Sequence, residues 1–182
     1  MHEPAVMQAA AGNLAPLAAL PGSKLRALCA AAAGGLIVPL MALLQRGEVD
    51  INSKTASMRR VHFAREGVTA LHIAAECGHV AAVQQLLKAS AALDAEGGPG
   101  PHNKWTPLMF AARWGNSEVV AVLLDAGADF QAQLTRAKDH RTALAIAEDP
   151  GFEGSGPSEV TQGHLAAQRL LRAVARRRAD EW

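Results

Sequence analysis

Gly67-Val68-Thr69-Ala70-Leu71-His72-Ile73-Ala74-Ala75-Glu76-Cys77-Gly78-His79 and Lys104-Trp105-Thr106-Pro107-Leu108-Met109-Phe110-Ala111-Ala112-Arg113-Trp114-Gly115-Asn116 carry one pattern twice. Thr, Leu, the Ala-Ala pair and Gly fall in register at an offset of 106 − 69 = 37 residues. A leucine pair, Leu86-Leu87 or Leu123-Leu124, follows each glycine at the same distance. Leu71, Ala74 and Ala75 lie at helical spacing, which predicts a short helix packing through a narrow apolar stripe. Gly78 and Gly115 then end that helix and turn the chain. Val80, Val83, Leu86 and Leu87 predict a second amphipathic helix. Such a helix–turn–helix unit cannot bury both helices alone, so its copies must stack.

Two weaker copies flank the pair. One begins at Arg141-Thr142-Ala143-Leu144-Ala145-Ile146-Ala147, offset by 142 − 106 = 36 residues. Its second half, Gly163-His164-Leu165 to Leu170-Leu171, arrives late because residues 152–162 are inserted. The other precedes the pair, with Leu28, Ala31-Ala32, Gly35 and Leu43-Leu44, followed by Gly47-Glu48-Val49-Asp50-Ile51-Asn52. Thr106-Pro107-Leu108, Thr69-Ala70-Leu71-His72, Ala74-Ala75 with Gly78-His79, and Gly127-Ala128-Asp129 together resemble the ankyrin repeat, whose period is about 33 residues. The resemblance implies an all-α solenoid of about four helix–turn–helix repeats with degenerate, capping terminal copies. The expected repeats are 22–56, 64–96, 101–133 and 138–176 within a domain of residues 22–178, the last repeat holding the insertion. Residues 1–21 are expected to be a flexible segment or a short capping helix, and 179–182 a tail. The sequence departs from the family pattern where Lys104 and His140 replace the hairpin glycine, and Met109 and Ala145 the histidine.

Composition agrees. Of 182 residues 49% are hydrophobic but only 4% aromatic, with no tyrosine, so alanine and leucine must build the core. That suits closely packed helices rather than sheets, which favour β-branched and aromatic residues. Eighteen Lys+Arg against 17 Asp+Glu leave a net charge of +1, not the basic excess of a nucleic-acid binder. Cys29 and Cys77 form no metal-ligand spacing and read as reduced thiols of an intracellular protein. The first 22 residues have no basic start and carry Glu3 and Pro4, unlike a cleaved signal peptide. Residues 27–44 are an uncharged run near the lower limit of a membrane span, but Gly34-Gly35 falls where Gly78 and Gly115 fall, between two short helices. A membrane-anchored protein using 27–44 is thus the second reading, and a regulatory subunit of an enzyme complex the third.

No residue pattern points to catalysis. The resemblance makes His72 and His79 structural, bonding backbone and neighbouring turns; His2, His62, His102, His140 and His164 show no ligand spacing. Gly97-Gly98-Pro99-Gly100-Pro101 lacks the Lys-Ser/Thr of a phosphate loop, and prolines remove amide donors. No cofactor and no metal are expected. In the ankyrin family partners lie across hairpin tips and the exposed side of the first helices. The resemblance carries that role to Arg65, Glu66, Val68, Glu76 and Cys77, to His102, Asn103, Trp105, Arg113 and Trp114, and to Lys138, Asp139, Arg141 and Asp149. Trp105, Arg113 and Trp114 are residue types enriched in interface hot spots, and packing against the next repeat is their competing role. Gln168-Arg169-Leu170-Leu171-Arg172 continuing to Arg176-Arg177-Arg178 reads as a basic amphipathic helix that caps the solenoid, with an acidic-partner or nuclear-import patch as its functional reading. Leu44 with Asp50-Ile51-Asn52 resembles the context of asparagine hydroxylation in some ankyrin proteins, a modification of the chain rather than an activity. The expected protein is a monomeric, non-catalytic adaptor, scaffold or inhibitor that binds another protein, not nucleic acid, in the cytoplasm, with the nucleus as the other location.

Overall fold

The computed structural model describes residues 23–55, 67–98, 104–134, 141–151 and 159–180. The 1–21 segment, most of the insertion (152–158) and the expected binding residues Arg65, Glu66, His102, Asn103, Lys138 and Asp139 lie outside them. The described residues form eight helices: α1 (Ser23–Ala33), α2 (Ile37–Gln45), α3 (Ala70–Cys77), α4 (Val80–Lys88), α5 (Pro107–Arg113), α6 (Ser117–Asp125), α7 (Ala143–Glu148) and α8 (Gln162–Ala179). They pair as α1/α2, α3/α4, α5/α6 and α7/α8, and the pairs stack in chain order. First helices α1, α3, α5 and α7 pack side by side in one layer, and second helices α2, α4, α6 and α8 in the other. This is the stacked all-helical architecture that the repeats predict.

The first helices begin in one way because their caps are local. Thr69, Thr106 and Thr142 are extended N-cap residues. The Thr106 hydroxyl accepts from the Met109 amide at 3.4 Å and the Thr142 hydroxyl from the Ala145 amide at 3.5 Å. Such caps satisfy amides that the first turn leaves without partners. Pro107 at the first helical position gives up an amide that needed no intrahelical partner. Their packing face is alanine: Ala31, Ala32, Ala74, Ala75, Ala111, Ala112 and Ala147 are wholly buried. Side chains this small let the first-helix layer close up, while Leu40, Val83, Leu86, Val119, Val120 and Leu123 fill the space toward the second layer.

The sequence run 27–44 divides between α1 and α2 with a turn at Gly34 and Gly35, and the two helices pack on each other. Among the described residues no helix is long and apolar enough to cross a membrane. The membrane-anchor reading of 27–44 is corrected accordingly: the run is two short antiparallel helices of the first repeat, because a glycine with φ +64° at residue 35 reverses the chain midway.

Backbone pairing joins the residues on either side of each connection between repeats. Gly97 and Trp105 form an antiparallel bridge, with Gly97 N–H donating to the Trp105 carbonyl at 2.8 Å and Trp105 N–H returning to Gly97 at 3.0 Å. Thr55 and Val68 occupy the equivalent place one repeat earlier, and Leu134 and Arg141 one repeat later. Below them the loops interlock by side chains. Asn52 Oδ1 accepts from the Ala92 amide at 2.8 Å, and Asp94 Oδ1 from the Asp129 amide at 3.0 Å. The Asn52 amide group, the one in the hydroxylation-like context, is thus a structural tie between the first and second loops.

Candidate protein-interaction surface

Three similar joints hold successive repeats, each built from a turn glycine and a residue at the N-cap or in the first turn of the next second helix. His79 Nε2–H donates to the Ala33 carbonyl at 2.8 Å. Asn116 Nδ2 donates to the carbonyls of Ala75 and Glu76, both at 2.8 Å. His164 Nε2–H donates to the Arg113 carbonyl at 2.8 Å. Each acceptor is at the C-terminal end of the preceding first helix, where carbonyls lack intrahelical partners. The donors lie directly over the turn glycines: a Cβ on Gly78 would stand 2.8 Å from Asn116 Oδ1, and one on Gly115 2.9 Å from the His164 ring and backbone nitrogen. His79 was legible in the sequence as such a residue; Asn116 and His164 were not, although their place next to a repeat glycine was the available signal.

His72 makes a fourth tie. Its Nδ1 accepts from the Thr69 amide at 3.2 Å and its Nε2–H donates to the Trp105 carbonyl at 3.0 Å. Burial holds its pKa down to about 4, so the ring is neutral, and the nearby Lys54 charge acts in the same direction. Phe110 meets the His72 ring edge-on at 5.5 Å, and Trp105 lies 5.2 Å from Phe110. The guanidinium of Arg113 sits over the Trp105 indole, 5.1 Å from its centre, in a cation–π contact.

This cluster divides the residues expected to bind a partner. Val68 and Trp105 are each 2% exposed and Arg113 is 0% exposed. They offer no surface, and their place in the expected site is corrected to inter-repeat packing. The hairpin pairing of Trp105 with Gly97 turns the indole inward onto Phe110, and Arg113 follows it because the ring face attracts its charge. Trp114, the next residue, is 37% exposed at the C-cap of α5. Glu76 and Cys77 are half-buried at the end of α3. Arg141 is half-buried, and its guanidinium pairs with the exposed Asp149 carboxylate at 3.0 Å. Trp114, Glu76, Cys77, Arg141 and Asp149 are therefore the expected contact residues that retain surface.

Burial pushes the Cys29 thiol up to about 12, and burial with the Glu76 charge pushes Cys77 up to about 11, so neither is a thiolate nucleophile near neutrality. Among the described residues no group of three or more His, Cys, Asp or Glu is placed to hold a metal ion.

Comparison with known proteins agrees with the fold. Residues 27–134 match the family model described as ankyrin repeats in three copies, which takes in most of α1 and all of α2 to α6 and leaves α7 and α8 beyond it. Protein phosphatase 1 regulatory subunit 12A of Mus musculus is 34% identical over 89 residues, covering 49% of this chain and 8% of that protein. Its Rattus norvegicus counterpart matches to the same extent. Ankyrin repeat and SAM domain-containing protein 6 of Mus musculus is 38% identical over 91 residues, covering 48% of this chain and 10% of that protein. The chain thus spans a tenth or less of the length of these relatives.

Proposed function

From the premise that the chain belongs to the ankyrin repeat family, we propose that it is a non-catalytic module that binds another protein along the edge formed by the ends of its first helices. The observation that carries this reading is the exposed indole of Trp114, held at a repeat joint where Asn116 and His164 lock the backbone on both sides of Gly115. A large apolar group on a rigid support binds without the entropic cost of ordering a loop. Glu76, Cys77, Arg141 and Asp149 supply further contacts along the same repeats, and Arg65, Glu66, His102, Asn103, Lys138 and Asp139 are assigned to the partner on the family resemblance. The repeat domain is taken as residues 22–178, acting as a monomer in the cytoplasm. Fold alone fixes no partner.

Affinity capture with the wild-type chain and a Trp114→Ala variant tests the reading. Trp114 lies partly in solvent, so the variant keeps its helical circular dichroism while losing the captured partner. A partner retained in full by a folded Trp114→Ala/Arg141→Ala variant would remove this edge as the binding site. A narrower reading is favoured by the name of the 34% identical relatives: the module would regulate an enzyme, as a phosphatase regulatory subunit does. Recovery of a phosphatase catalytic subunit in the capture would support it, and its absence would leave the broader module.

A further inference from the structure

Helix α8 has 18 residues where α2, α4 and α6 have 9 each. One face packs on the core, through the buried His164, Ala167, Gln168 and Leu171 and then the half-buried Val174 and Ala175. A second stripe, Leu165, Arg169, Arg172 and Arg176, keeps the i, i+4, i+7, i+11 spacing of one helical face and is exposed throughout. Arg177 borders it and is also exposed. At 1.5 Å per residue the stripe is about 16 Å long, with an apolar end at Leu165 and cations beyond. The whole chain carries a net charge of only +1, yet α8 has five arginines and no acidic residue. Glu148 pairs with Arg172 at 2.6 Å, an exposed contact of the kind worth little and easily exchanged. Arg178 turns away to lie over the Phe130 ring at 5.2 Å. Among the described residues Arg169, Arg176 and Arg177 have no carboxylate partner.

We propose that this face of α8 is a second docking surface, and that its occupant is an acidic helical segment of a partner protein with carboxylates at the complementary spacing and an apolar residue against Leu165. Guanidinium forks grip carboxylates with two parallel hydrogen bonds, which gives such a pairing register as well as charge. A nucleic acid is disfavoured because the chain as a whole carries a net charge of only +1, far from the basic excess that phosphate binding draws on. A bilayer is disfavoured because only Leu165 and the neighbouring Val160 could enter it, and the remaining turns present arginine. The proposal rests on the protein-binding reading given above, and adds a partner chemistry to it.

The test uses the full chain and two labelled peptides of one composition. The first has glutamates on the 4-3-4 spacing with a leucine at one end, and the second has the same residues scrambled. Fluorescence anisotropy should show binding of the first, weakening with added salt, and an affinity loss of at least ~10-fold in an Arg169→Glu/Arg176→Glu/Arg177→Glu variant. All three positions are exposed, and circular dichroism checks the fold of the variant. Equal binding of the scrambled peptide, no binding, or unchanged affinity in the variant would overturn the proposal. Tighter arginine-dependent binding of a single-stranded oligonucleotide or of phosphatidylserine vesicles would overturn it in favour of those ligands. A partner still captured through Trp114 while the peptide fails would refute the α8 surface and leave the broader function standing.

Discussion

His72 shows how one side chain joins two repeats and makes their union sensitive to acid. Its two ring nitrogens are committed in opposite senses, Nδ1 to the Thr69 amide and Nε2–H to the Trp105 carbonyl. Protonating Nδ1 would turn that acceptor into a donor facing an N–H. The folded pKa of about 4 lies below the ordinary 6.5, so the unfolded chain binds the proton more readily. The stabilisation is complete above pH 6.5 and is lost as pH falls toward 4, by an amount on the order of 3 kcal/mol. Denaturant midpoints measured from pH 7 to 4 should fall more steeply for the wild type than for His72→Gln; parallel curves would show that His72 titrates freely. The same cluster explains why the two tryptophans have different fates. Trp105 and Trp114 are of equal hot-spot quality as sequence, and nothing local separates them. Their difference arises from the pairing of Trp105 with Gly97 and from Phe110 and Arg113 waiting beneath the indole, contacts that exist only after the hairpin has formed.

At the scale of helices and turns, the joint glycines serve two needs that can be measured apart. Gly115 has φ +68° and Gly127 φ +92°, both in the left-handed region where a Cβ is strained. Around Gly127 nothing lies within 4 Å of an added Cβ, whereas at Gly115 the Cβ would meet the His164 backbone and ring at 2.9 Å. Gly127→Ala should therefore cost about 1–2 kcal/mol, from strain alone. Gly115→Ala should cost a further ~1–3 kcal/mol as α8 is pushed from its seat. Thermal or urea unfolding of the two variants gives the difference, and equal losses would mean that α8 does not bear on the turn. Much of this architecture could be read from sequence, because threonine caps, alanine pairs and turn glycines act within a few residues of themselves. The joints could be read only in part. His79 stands in the family motif, but Asn116 takes the same place with a different side chain, and His164 does so after an insertion that hides its register. The binding surface was least legible, since burial of Val68, Trp105 and Arg113 depends on neighbours a whole repeat away.

Across the whole molecule, stability should vary along the stack rather than belong to all of it equally. Each pair of helices touches mainly the pairs before and after it, as in one-dimensional assemblies generally. Pairs α3/α4 and α5/α6 are covered on both sides, while α2 leaves Val38 80% and Met41 37% exposed. Hydrogen exchange should find the slowest amides in α3 and α5 and the fastest helical amides in α2. Uniform protection through all eight helices would instead indicate a single cooperative unit. Helix α8 is held at the other end by a cap and a joint of its own, Thr161 with His164, and His164 with Arg113. Its position is thus dictated by its packing on α5, α6 and α7, not by the length of chain that leads to it from α7. New sequence spliced between Gly151 and Glu159 should leave the stack in place, since doubling a connection's length adds only ~0.6 kcal/mol of closure entropy. A reporter grafted there should leave the repeats reading as one continuous surface.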